Sequence, residues 1–138
     1  ADAIWLADHG WQVTAVDFSL VGLAKAEAQA MQAGVQVSWI RQDLAQWAPS
    51  QQYDLVSVQF FHGEPDIRDE VLRLAWRATA GTLIVVAHDH AHPGPPPPEV
   101  RYGLAEIAAV LGDDADVVTA EVRHRGAAVD AVVIVRRG

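Results

Sequence analysis

Two aspartates that follow short β-branched runs are the first residues with chemistry to offer. Asp17 ends the run Trp11–Asp17, and Asp43 stands just past Val35–Ile40. If both runs are strands, two carboxylates lie at consecutive strand ends, where ligands bind in open α/β sheets. One carboxylate has the two oxygens that the paired hydroxyls of a ribose require, and the other could receive an adenine amine. Either aspartate alone more often caps a turn or a helix; the pair together favours nucleoside binding. Gln59 ends a third run, Tyr53–Gln59, and leads into Phe60, Phe61 and His62. His62 is the best-placed general base, a role required only if a nucleophile must lose a proton; otherwise it is a loop histidine with a solvated ring. His88, His90 and His92 alternate, which in an extended segment puts three imidazoles on one side. No ligand from a distant segment accompanies them and the prolines that follow make the loop irregular, so no metal is expected. The segment reads instead as the rim of a site, with His88 at a strand end able to touch substrate.

The elements that would hold these residues alternate. A helix around Ile4–Ala7 stops at Gly10, the strand 11–17 follows, and Ser19 can cap a helix carrying Leu20, Leu23, Ala24, Ala28 and Met31 to its end at Gly34. The strand 35–40 leads into a loop over 42–52, then the strand 53–59, a helix over 67–79 and a stop at Gly81. Residues 82–87 form a near-continuous apolar run, as expected of a strand buried on both faces. Pro95–Pro98 keep the next segment out of helix and sheet. A short helix spans 104–111, and the strands 117–123 and 129–135 flank a turn at Arg125–Ala127, too close for a helical crossover and therefore antiparallel. Such βα alternation implies a single α/β domain over 1–138: a three-layer, Rossmann-like sheet, mostly parallel with a C-terminal antiparallel hairpin.

Composition removes several classes of function. The 138 residues carry a formal net charge of −8, with 51% hydrophobic residues, which describes a globular acidic chain. Without cysteine there is no disulfide framework, thiolate metal site or thiol nucleophile. Lys25 is the sole lysine and no basic stripe is present, so neither a nucleic-acid backbone nor an anionic membrane is an expected partner. No apolar run reaches the roughly 20 residues of a membrane span. The first residues include Asp2, Asp8 and His9 rather than a basic leader, and a cytoplasmic location is expected. The first residue is Ala1 and the only methionine is Met31, so further residues are expected upstream.

The run "AIWLADHGWQVTAVDFSLVGLAKAEAQA" resembles the segment after the glycine-rich loop of class I S-adenosylmethionine-dependent methyltransferases. "RQDLAQW", "YDLVSVQFFHGE" and "TAGTLIVVAHDH" are similar to the next three motifs at the expected intervals, and the nearest subgroup is the small tellurite-resistance type. The resemblance implies S-adenosylmethionine as cofactor and a small-molecule acceptor methylated by direct in-line transfer. It implies that Asp17 takes the ribose hydroxyls, with Phe18 and Ser19 beside it and Phe18 lining the adenine. Asp43 would accept the adenine amine and Leu44 would offer its backbone N–H. The Gln59 carbonyl would face the methionine ammonium, with Phe60 and Phe61 near the methyl. The family's first strand and glycine-rich motif, central between the Asp17 and Tyr53 strands, are absent from this chain. Two inner sheet edges are therefore expected to be open, available to another copy of the chain. Asp17 suits the ribose of NAD equally well, so a Rossmann-type oxidoreductase is the alternative, disfavoured by Asp43–Leu44 and the terminal hairpin. A truncated, non-catalytic interaction domain is a further alternative.

Overall fold

The computed structural model describes residues 2–137, which fall into two compact units, the first ending at Trp47 and the second starting at Ala48. In the first, helix α1 (Asp2–Asp8) precedes strand β1 (Thr14–Asp17), helix α2 (Leu20–Ala33), strand β2 (Ser38–Arg41) and a single 3-10 turn over Leu44–Gln46. Ser19 caps α2 by accepting the Gly22 N–H at 3.1 Å, and Gly34 ends it in the left-handed conformation at φ 72°, which a residue without Cβ adopts at no steric cost. β1 and β2 pair in parallel from Thr14↔Ser38 to Asp17↔Arg41. Both strands are shorter than the β-branched runs suggested, because among the described residues each pairs only with the other. Among the described residues of this unit, the buried apolar ones are Leu23 and Ala30 of α2.

The second unit contains strand β3 (Tyr53–Gln59), helix α3 (Pro65–Arg77), strand β4 (Thr79–His88), helix α4 (Leu104–Leu111) and strands β5 (Ala115–Arg125) and β6 (Ala128–Arg137). They form one sheet in the order β3-β4-β6-β5, with β3 parallel to β4 and the other pairs antiparallel. The expected terminal hairpin is present, turning at Gly126–Ala127. α3 begins at Pro65, whose missing N–H and preset φ suit a first helical position. Gly81, expected to close that helix, lies inside β4 instead. The helix stops earlier, at Arg77, and the Thr79 hydroxyl donates to the Ala75 carbonyl at 2.7 Å. Gly81 sits at a register shift between β3 and β4, where a Cβ would lie 2.5 Å from the Asp54 carbonyl oxygen.

Leu83, Val85 and Ala87 of β4 and Val133 and Val135 of β6 pack against Leu72, Ala75 and Trp76 of α3, with Tyr102 and with Ile107 and Leu111 of α4. Each such fully buried aliphatic side chain contributes roughly 1.5–3 kcal/mol. The strand most buried on both faces is β6, between β4 and β5, which explains its apolar run Ala131–Val135. Arg137 ties its end down: Nε donates to the Thr79 carbonyl at 2.8 Å, Nη2 to that of Trp76 at 2.6 Å, and the guanidinium lies 3.9 Å from the Trp76 ring centroid. Arg101 likewise gathers the proline-rich loop by donating to the carbonyls of His90, Gly94 and Pro96. Among the described residues β1 pairs only with β2 and β3 only with β4, so each keeps one unpaired edge.

Candidate functional site

In the first unit the two aspartates lie toward the same end of the parallel β1–β2 pair. Asp17 is the last residue of β1, its register partner is Arg41, and its carbonyl accepts the Gln42 N–H at 2.9 Å. Asp43 follows two residues beyond β2. Each carboxylate uses one oxygen locally: Asp17 Oδ1 accepts the Ser19 N–H at 3.2 Å, and Asp43 Oδ1 accepts the Ala45 N–H at 3.0 Å, capping the 3-10 turn that begins at Leu44. The capping role and the ligand role are thus compatible, since an ionised carboxylate has further lone pairs on both oxygens. Phe18 is 68% exposed beside Asp17, an apolar ring open to solvent at a strand end.

In the second unit Gln59, Phe60, Phe61, His62 and His88 gather at the carboxyl ends of the parallel strands β3 and β4. Gln59 is the final residue of β3 and its amide donates to the Ser57 hydroxyl at 2.9 Å. Phe60 has φ 54°, a conformation that costs a bulky residue on the order of 1–3 kcal/mol. Its N–H donates to the Val86 carbonyl at 2.7 Å, so the chain leaves β3 in a sharp turn. That turn brings the Phe60 ring to 4.8 Å from the His88 ring. Tyr102, fully buried, donates its hydroxyl to the Phe61 carbonyl at 2.8 Å and fixes the segment carrying His62; burial pushes its phenol well up from the ordinary value.

His62, His88 and His92 form a stack. The His62 and His88 rings lie 5.3 Å apart at 7°, and the His88 and His92 rings 3.9 Å apart at 19°. Burial, with the His88 and His92 imidazoles beside it, pushes His62 below its ordinary value, more than the Phe60 backbone and Asp130 push it up. His90 stands apart, its Nε2 on the Glu106 carboxylate. Burial alone would raise Glu106, but the hydrogen bonds from His90 and the Gly103 N–H outweigh it and hold its carboxyl below the usual range.

Sequence reasoning missed Asp130, 4% exposed and 3.0 Å from His88 Nδ1, and also Arg125, whose Nη2 lies 3.2 Å from the other Asp130 oxygen. The signal was available: Asp130 is the lone charge in the apolar run 129–135. His88, His92 and Asp130 each present a ligand atom within 4.8 Å of the others.

Residues 1–82 match the family model described as "Methyltransferase domain". No curated protein matches the chain. Among solved structures, magnesium protoporphyrin IX methyltransferase from Synechocystis with bound SAH is similar at a TM-score of 0.83 and 18% identity, over 99% of this chain and 68% of that one. TehB from Haemophilus influenzae has a TM-score of 0.82 and 16% identity over 99% of this chain, which spans 54% of that one. The N-methyltransferase NodS from Bradyrhizobium japonicum, in complex with S-adenosyl-L-homocysteine, has a TM-score of 0.82 and 16% identity over 99% and 72% of the two chains. At these identities the three likenesses establish the Rossmann-like fold.

Proposed function

The chain belongs to the methyltransferase-domain family, whose model covers residues 1–82, and from that premise we propose that it transfers a methyl group to a small-molecule acceptor. Its methyl donor is S-adenosylmethionine, which supplies a methyl group made electrophilic by a sulfonium; solved structures of the same fold carry that cofactor or its product. The family match decides between the two nucleoside readings in favour of methyl transfer over hydride transfer.

The observation that carries the site assignment is the pair of strand-end carboxylates, Asp17 and Asp43, at one end of β1–β2, each with an oxygen left over from its local cap. In our reading Asp17 holds the ribose hydroxyls, with Phe18 and Ser19 next to it, and Asp43 and Leu44 hold the adenine edge. The Gln59 carbonyl meets the ammonium, and Phe60 and Phe61 keep water from the methyl. Alignment of donor and acceptor in a dry site can supply about 7–11 kcal/mol of the barrier. The single-domain reading is supported by folds that match 99% of the chain. No helix among the described residues is long and apolar enough to cross a membrane, and we propose a cytoplasmic setting, no nucleic-acid partner, and association of copies through the unpaired edges of β1 and β3.

Calorimetric titration of S-adenosylhomocysteine into the full-length protein tests this. Binding is expected for it and not for NADH. Asp17→Ala should weaken it by roughly tenfold or more, the loss of about 1.5–3 kcal/mol from hydrogen bonds to a charged group. An unchanged affinity in Asp17→Ala would remove the ribose assignment.

A further inference from the structure

The histidine stack contains three rings but only one uncommitted lone pair. A neutral imidazole has one donor and one acceptor nitrogen. His62 Nε2 accepts the His88 backbone N–H at 3.1 Å, and His92 Nδ1 accepts the Val129 N–H at 3.1 Å, so both rings have spent their acceptors on the main chain. His88 differs. Its Nδ1 lies 3.0 Å from Asp130 Oδ1, and an ionised carboxylate only accepts, so the hydrogen sits on Nδ1 and Nε2 keeps its lone pair. The pair is built by register: His88 of β4 and Asp130 of β6 are direct cross-strand partners, with side chains on one face. Arg125 at the end of β5 holds the second Asp130 oxygen.

A cation is the other candidate for this cluster, since His88, His92 and Asp130 lie close together. The geometry argues against it. The His88 and His92 rings lie face to face, so their in-plane lone pairs run side by side rather than converging, and His92 Nδ1 is already bonded to Val129.

We propose that His88 is the general base of the methyl transfer, that Asp130 positions it, and that the acceptor is a phenolic hydroxyl. The proposal rests on the methyltransferase reading above and names the acceptor class for it. A phenol, titrating near 10, is the common hydroxyl from which an imidazole base takes a proton most readily. The Phe60 ring, 4.8 Å from His88 and 39% exposed, offers an aromatic face for the acceptor ring. The exposed Arg125 guanidinium, 5.9 Å from the Phe60 centroid, supplies a cation for the developing phenolate and disfavours a protonated amine. The groups facing His88 are thus His62 from the segment after β3, His92 from the loop after β4, Asp130 from β6 and Arg125 from β5, with Tyr102 behind His62. In the step, the phenolic oxygen bonds to the methyl carbon as the carbon–sulfur bond breaks. Sulfur keeps that electron pair and becomes a thioether. The proton passes to His88 Nε2 and then to water, with no change of oxidation state overall.

The test uses the full-length protein, radiolabelled methyl donor and two probes: 4-ethylphenol, neutral at pH 8, and 4-nitrophenol, largely ionised there and in no need of a base. Both should be methylated. His88→Gln should lower kcat for 4-ethylphenol by about 10²–10⁴ but lower it less than tenfold for 4-nitrophenol. Asp130→Asn should show the same selectivity in kcat with little change in KM. Both variants should bind S-adenosylhomocysteine as the parent does. Independently of turnover, long-range ¹⁵N–¹H spectra should place the His88 hydrogen on Nδ1 in the parent and divide it between the two nitrogens in Asp130→Asn. Binding of S-adenosylhomocysteine without methylation of either phenol, equal losses on both probes, activity abolished by a chelator, or a His88 hydrogen on Nε2 would each overturn the proposal. Failure to bind S-adenosylhomocysteine would instead overturn the reading it rests on.

Discussion

His62 makes a pH-dependent contribution whose sign follows from its surroundings. Its ring is pushed below the ordinary value, chiefly by burial, while Nε2 accepts from the His88 N–H. In the unfolded chain it takes up a proton near 6.5; in the folded chain it does so only at lower pH. The unfolded state therefore binds more protons in that window, so this contribution is complete above about 6.5 and lost as pH falls through the folded value. Calorimetric melting from pH 8 to 5 should show Tm falling below about 6.5. In His62→Gln, whose amide oxygen accepts the same N–H without titrating, that fall should be shallower; an identical fall would show that His62 does not titrate as described. The strand-end residues Asp17, Asp43, Gln59 and His88 were legible because each follows a visible β-branched run. Asp130 was visible as the lone charge in an apolar run, but its pairing was not: His88 is 42 residues away, and the β4–β6 register that joins them leaves no periodicity in the sequence. His62 was legible as a base by position, but the atom that occupies its Nε2 belongs to another strand, which points to His88 instead.

Among the elements, β4 is the least tolerant of change. Gly81 faces the Asp54 carbonyl at the shift in register with β3, and backbone cannot move aside as a side chain can. Gly81→Ala is expected to cost about 1–3 kcal/mol, the usual range for overpacking, read as a lower urea midpoint with unchanged m-value. A midpoint equal to the parent's would mean that β3 and β4 slide without cost. The order of elements could be read from alternating patterns, and the short helix Leu104–Leu111 begins and ends where its apolar spacing and Gly112 say. Boundaries that depend on a partner could not. A glycine after a helical run reads as a stop, yet β4 begins at Thr79 because Tyr53 of β3 pairs with it, and β1 and β2 are trimmed by each other.

For the molecule as a whole, burial is unevenly shared. The first unit has a two-stranded sheet and buries Leu23 and Ala30, whereas the second surrounds a four-stranded sheet with the cluster of Leu72, Leu83, Val85, Ile107 and Val135. Two strands alone are marginal in water, and regions with few buried contacts open first. Amide hydrogen exchange should accordingly be faster in Thr14–Asp17 and Ser38–Arg41 than in β4 and β6; uniform protection would show that the chain opens only as one body. The residues proposed to bind the cofactor's nucleoside all lie in that more weakly buried unit. The run His88–Asp89–His90–Ala91–His92 has a consequence of another kind. Folded, its imidazole nitrogens are engaged by Asp130, Glu106 and the Val129 N–H; unfolded, the same five residues are a free chelator. Nickel or copper ions, captured by the open chain and refused by the closed one, should act on this protein as denaturants, and an immobilised-nickel column should retain it in urea and release it on refolding.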